Sequence, residues 1–441
     1  MNLILTLLLA LGLMAAPDTD RDDKARQGAF ALINARIVTV TNGIIENGTL
    51  VIRNDKIVAL GANVEIPADA EVIDCTGLTI YPGMIDSGTQ IGLIEIGSLA
   101  ETRDASELGD LTPQMQALTA VNPNSVAIPV TRISGVTTAL TAPTGGLLPG
   151  QAALINLLGY TPEQMLVGGF RAVVLQYPAT GRRGRFDRRS DEDIKKDAEK
   201  ALKKLNETWD GAELYAQIDS AYTASPETGR RPEYVPAMTA LLPVVRGEQM
   251  LIIQANAASD INSALEWVKE RGLERVVLSG VAEGWRVADK IAEAGIPCLV
   301  GPMLSNPTRQ SDRYDKAYAN IGLMHKAGVK VAIRSGESEN VRNLPYNAGF
   351  AAAYGLGKEE ALRAVTITPA EIFGVSDEIG SLEVGKKANL FVADGDPFET
   401  KTDIHHVFID GYKVPMESRH TRLYDEFLNR VPGLKKHGEG N

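Results

Sequence analysis

At 441 residues the chain has room for one large α/β barrel with a smaller satellite domain, or for two to three ordinary domains. Apolar residues make up 44% and charged residues 23%, which excludes a disordered chain. The net charge of -11 argues against nucleic acid as a partner.

The first segment, residues 1–16, is apolar and ends in small residues before Pro17-Asp18. It is short for a membrane span and reads as a secretory signal peptide, although no Lys or Arg precedes it. Export to a periplasmic or extracellular space is therefore expected, with no stable membrane span in the mature chain. From 30 to 81 short β-rich runs alternate with turn residues. The run 37–40 meets Asn42-Gly43, a hairpin signal, and 49–52 meets Asn54-Asp55. A similar register returns at 388–392 and 406–411, so one small β-domain is expected from both ends, 30–81 with 375–416.

The middle, 82–374, alternates strand and helix patterns, which implies parallel strands joined by crossover helices. Strand candidates are 136–140, 152–155, 172–175, 250–253, 275–278, 298–300 and 329–333. Between them Ile194, Ala198, Ala201, Leu202 and Leu205 fall on one helical face, as do Ala264, Leu265 and Val268. This number of repeats suggests a (β/α)8 TIM-like barrel, with its site at the C-terminal strand ends. A doubly wound open sheet is the alternative; no Gly-x-Gly-x-x-Gly follows a strand to support nucleotide binding. The tail, 417–441, offers one short helix near 424–429. Cys75 and Cys298 sit in apolar runs and read as buried small hydrophobes, and without a Cys-x-x-Cys motif a thiolate zinc site is excluded.

The run Tyr81-Pro82-Gly83-Met84-Ile85-Asp86-Ser87-Gly88-Thr89-Gln90 resembles the Pro-Gly-x-Ile-Asp-x-His-x-His motif that opens the metal site of amidohydrolases. The stretches 362–370 and 380–390 are similar to the closing signature of that superfamily, especially its imidazolonepropionase-like branch. Gly135-Val136-Thr137-Thr138 and 145–151 resemble the same branch. The resemblance implies a (β/α)8 barrel with a β-sandwich built from both chain ends. It also implies hydrolysis of non-peptide C–N bonds, of the cyclic amide or ureide type, by water activated on one or two divalent metals.

Residue by residue, the implied metal site is not carried over. The two histidines of the first strand fall on Gly88 and Gln90. The fifth-strand histidine falls on Gln254, the sixth-strand histidine on Gly280, and the eighth-strand Asp near Gly336. The five histidines of the chain are His325, His405, His406, His420 and His437, none at an expected barrel strand end. His405 and His406 are adjacent on a strand and face opposite sides. No cofactor is expected on this reading, while a hard divalent metal held by carboxylates alone stays open.

Three polar groupings remain. The loop after the first strand carries Glu95, Glu101, Asp104, Glu107 and Asp110: carboxylates over the pocket, or a solvated acidic loop, the latter favoured. Arg182, Arg183, Arg185, Arg188 and Arg189 form either a basic lid or an exposed lead into a helix. At the mouth Gln90, Gln254 and Asn256 are expected to bind a small polar ligand, with Gln90 and Gln254 also able to bond to each other. Glu337 as base and Arg334 against an oxyanion would give weak hydrolysis without a metal. The leading expectation is an exported protein with a degenerate, metal-free site; a working C–N hydrolase with an atypical site is the alternative. A homo-oligomer is compatible with either.

Overall fold

The computed structural model describes residues 25–181, 188–227 and 231–430. The segment 1–16 expected to be a signal peptide, Arg182, Arg183, Arg185 and His437 lie outside the described residues. The chain opens with β1 (Ala29–Val38), β2 (Ile44–Arg53), β3 (Lys56–Gly61), β4 (Glu71–Asp74) and β5 (Thr79–Pro82). Asn42 and Gly43 turn β1 into β2, with Gly43 at φ 79°, a left-handed conformation that needs no Cβ.

Eight strands then form a second sheet: β6 (Met84–Thr89), β7 (Val136–Thr141), β8 (Gly150–Asn156), β9 (Leu166–Gln176), β10 (Met250–Ala255), β11 (Val276–Gly280), β12 (Cys298–Val300) and β13 (Val331–Ile333). The chain returns to the first sheet with β14 (Leu390–Ala393), β15 (Ile404–Ile409) and β16 (Tyr412–Val414), where β14 pairs antiparallel with β5. A sheet assembled from both ends is what the sequence pattern predicts. The rings of Phe30 in β1 and Phe408 in β15 lie 5.3 Å apart, although three strand spacings separate those strands in the sheet order. At about 4.8 Å per spacing a flat sheet would hold them about 14 Å apart. The sheet therefore folds over its own apolar face, enclosing Leu32, Ile52, Ile80 and Leu390. On its other face Tyr81 stacks on Phe391 at 5.3 Å, within the core shared with the barrel.

The second sheet runs β13-β12-β11-β10-β9-β8-β7-β6 and nearly closes. Ser87 Oγ in β6 donates to the Ile333 carbonyl in β13 at 2.6 Å, and Gly336 N donates to the Gly88 carbonyl at 2.9 Å. Ala364 and Val365 bridge the same seam by accepting from Ile333 N and Ile85 N. A closed arrangement of this kind is a barrel, so the doubly wound alternative falls. One expectation needs correction: β8 pairs antiparallel with both β7 and β9, whereas the remaining neighbours pair parallel. Only residues 142–149 connect β7 to β8, and a parallel crossover needs a dozen or more.

Helices Asp191–Ala224, Ala258–Glu270, Ala288–Ala294 and Lys316–Lys326 lie in the four parallel crossovers from β9 to β13. The first is capped by Ser190, whose Oγ accepts from Asp193 N at 3.1 Å. The expected tail helix is Arg419–Arg430. Among the described residues no helix is long and apolar enough to cross a membrane. Both cysteines are buried and free.

Candidate functional site

Strand alternation decides which polar residues reach the barrel interior. Val174, Ile252, Val277 and Ala332 belong to one interior cluster. Two residues further along the chain stand Gln176, Gln254 and Ser279 on the same strands and Arg334 just past β13. A period of two keeps all four on the inner face, now at the C-terminal mouth. The register confirms the row: Gln254 faces Gln176 on one side and Ser279 on the other. Gln176 Nε2 donates to Gln254 Oε1 at 2.9 Å, and Arg334 Nη1 donates to Ser279 Oγ at 2.7 Å.

Gln254 thus bonds to Gln176, its neighbour in register, and not to Gln90. Gln90 lies just past β6, where its backbone N–H donates to the Glu337 carbonyl at 2.9 Å. Asn256 is exposed at the end of β10. Arg334, Gly336 and Glu337 follow β13 directly, so Gln90, Gln254, Asn256, Arg334 and Glu337 all sit around one mouth. Gln176 and Ser279 were missed by sequence reasoning. Their signal was available: a polar residue two places beyond buried apolar ones at a strand's C-terminal end.

The glycines at the mouth are filled by other side chains. A Cβ on Gly88 would lie 2.9 Å from Arg334 Nε and 3.3 Å from its Cβ and Cδ. A Cβ on Gly280 would lie 2.4 Å from Asn256 Oδ1. Gly301, just past the end of β12, would put a Cβ 2.1 Å from the Arg334 carbonyl oxygen. Arg334 therefore lies across a floor that only glycine permits, and Asn256 closes the hollow at Gly280.

The electrostatics of this row are unusual. Arg334 Nε is sealed from solvent and has no hydrogen-bond partner, and among the described residues its guanidinium makes no ion pair within 4 Å. Burial pulls its basicity down, with Asp86 acting from a distance in the other direction. Arg stays protonated even so. Asp86 in β6 is fully buried; its Oδ1 accepts from Ser335 N at 3.0 Å and Gly88 N at 3.1 Å, and Oδ2 has no partner. Burial pushes its carboxyl up to about 6, the bonds to Ser335 and Gly88 and the charge of Arg334 opposing that rise. Asp86 ties the first barrel strand to the loop after the last.

The acidic loop does not converge. Glu101, Asp104, Glu107 and Asp110 are exposed, Asp110 pairs with Lys204 at 2.8 Å, and Glu95 accepts from Asn122. Arg189 pairs with Asp197 at 3.0 Å, leading into the long helix, and Arg188 is exposed. His325 lies in an outer helix, His405 and His406 in β15, and His420 in the tail helix. Among the described residues no group of three or more His, Cys, Asp or Glu side chains is placed to hold a metal ion. Beside the mouth, a cavity of about 240 Å³ is lined by Asn256, Gly280, Trp285, Gly301, Pro302 and Asn320, among others. Thr308, which also lines it, donates to the buried carboxylate of Glu283, which accepts from Arg309 and Ala258 N as well.

Comparison with known proteins follows the same lines. The model of the Amidohydrolase family matches residues 79–414. The chain is 24% identical to an imidazolonepropionase of Sphingopyxis alaskensis, over 89% of this chain and 96% of that protein. It is 22% identical to amidohydrolase tasK of Hapsidospora irregularis over 79% of this chain, and spans only 37% of that longer protein. Among solved structures, an amidohydrolase from Thermotoga maritima superposes with a TM-score of 0.77 at 25% identity, over 88% of this chain and 99% of that one.

Proposed function

The chain belongs to the amidohydrolase family, and we propose that its barrel mouth is a metal-free site that binds a small polar ligand. The observation that carries this reading is the guanidinium of Arg334 lying against Gly88, one of the positions where the family motif places a histidine ligand. A divalent metal needs imidazole or carboxylate donors converging with one position open. Gly88, Gln90, Gln254 and Gly280 offer no such donor, and a metal would face a fixed positive charge. Two unit charges about 4 Å apart repel by roughly 4 kcal/mol at an effective dielectric of 20, and a divalent ion doubles that. The group does not fit, and no step is routed through it.

A second reading keeps a reaction. Arg334 can stabilise an oxyanion at the mouth, and Glu337, three residues on in the same loop, can take up a proton. This would be hydrolysis of a non-peptide C–N bond without a metal. The acidic loop supports neither reading, since its carboxylates are dispersed or paired. We place the protein outside the cytoplasm on the strength of the apolar segment 1–16; mass spectrometry of the mature N-terminus in a periplasmic or culture fraction tests that.

Elemental analysis of purified protein tests the main reading. Less than stoichiometric Zn, Mn, Mg and Ca, with a melting temperature unmoved by chelator or added ions, is the expected result. Stoichiometric metal that stabilises the fold would overturn it. Turnover of hydantoins, dihydropyrimidinones or N-acyl amino acids that resists chelator and is lost in Glu337→Gln would favour the second reading.

A further inference from the structure

We infer that the mouth ligand carries a single carboxylate, held by the guanidinium of Arg334 together with the amide of Gln254. This rests on the metal-free reading above. The argument begins from charge. Arg334 Nη1 spends one bond on the neutral Ser279 hydroxyl, Nε has no partner, and among the described residues no carboxylate lies within ion-pairing distance. A cation drawn from water into a protein wall without a counter-ion costs several kcal/mol. Asp86 balances that charge only from beyond ion-pairing distance, so an anion arriving from the mouth would be the direct partner the guanidinium lacks.

The neighbouring groups say which anion. Gln254 Oε1 is engaged by Gln176, which leaves Nε2 as the donor that Gln254 can offer a ligand. The inner row therefore offers a fork of N–H donors from Arg334 and an amide donor beside it. No second cation stands in that row, which is Gln176, Gln254, Ser279 and Arg334. A planar monoanion with two acceptor oxygens matches one guanidinium, whereas a phosphate dianion would remain undercompensated. Simple carboxylic acids such as acyl-glycines and 2-oxo acids present such a group.

Titration calorimetry on the purified mature protein tests the assignment with N-acetylglycine, propionate and pyruvate, each acyl acid set against its uncharged amide. The acids are expected to bind and the amides to bind at least about tenfold more weakly, the size of one lost charge-assisted contact. Arg334→Gln should abolish the preference. Should that variant fail to fold, Arg334→Lys keeps the charge, loses the fork, and should weaken acid binding while acid over amide selectivity persists in part. Amides that bind as well as acids, acids that bind Arg334→Lys unchanged, or no binding of any acid at millimolar concentration would overturn the inference. Elemental analysis of the same sample separates the two levels. Stoichiometric metal overturns the underlying reading, while metal-free protein indifferent to carboxylates overturns only the carboxylate assignment.

Discussion

Replacing Gly88 by Ala tests whether Arg334 occupies the space over the first barrel strand. The new Cβ would stand 2.9 Å from Arg334 Nε and 3.3 Å from its Cβ and Cδ. Arg334 cannot swing aside cheaply, because its Cβ is fixed to the backbone and its Nη1 is held by Ser279 at 2.7 Å. Overpacking of this kind costs about 1–3 kcal/mol. Gly88 does not have a left-handed φ, so the backbone itself accepts a side chain. Removing a strand glycine would by itself contribute roughly 0.5–1 kcal/mol of stability. Gly88→Ala should therefore destabilise the wild type, and be neutral or stabilising in an Arg334→Ala background. The coupling energy expected from a double-mutant cycle, measured by urea denaturation of the four proteins, is about 1–3 kcal/mol. Additive effects would refute the claim that the guanidinium arm fills this hollow.

Asp86 should make stability fall with rising pH. Its carboxyl is raised from an ordinary 3.8 to about 6 by burial, so this contribution is complete below pH 3.8 and lost as pH climbs through about 6. At 1.36 kcal/mol per pH unit the loss is about 3 kcal/mol. The difference in unfolding free energy between wild type and Asp86→Asn should shrink by that amount across the interval, and a flat difference would contradict the assignment. Glu283 shows the opposite sign: burial works against its ionisation, yet Arg309, Ala258 N and Thr308 outweigh it and hold the carboxyl below its usual range. Its contribution is present above the ordinary carboxylate value and lost as pH falls. Glu283→Ala should cost about 2–3 kcal/mol, discounted because Arg309 is half exposed, and a cost under about 1 kcal/mol would show the cluster to be ornamental. Cys75 and Cys298 should resist a thiol reagent in the native protein and react after denaturation, since burial pushes both thiols up, Cys75 to about 11. Labelling of native protein would place either thiol nearer the surface.

Much of the fold was legible because it rests on local patterns. Asn42-Gly43 dictates a tight turn, and apolar runs at both ends mark strands that must find partners. Strand direction was not legible from apolar character, since a buried strand looks alike in either sense. The length of 142–149 held that information, being too short for a crossover. The pairing of Gln254 was also hidden, because it depends on barrel register: Gln176 stands opposite, while Gln90 lies at the seam.

By itself the sequence determined the identity of the residues at these strand ends: Gly88, Gln90, Gln254 and Gly280 are glycines and amides. Only the tertiary structure decided what fills the space beside them. A glycine leaves a hollow, and close packing requires some neighbour to fill it. That neighbour is set by which strand ends meet around a closed barrel, not by proximity in the chain. Arg334 reaches Gly88 from the far end of the barrel domain, and Asn256 covers Gly280 from the adjoining strand. The sequence registers a glycine at position 88; the closure of the barrel puts a guanidinium in the space a side chain there would take.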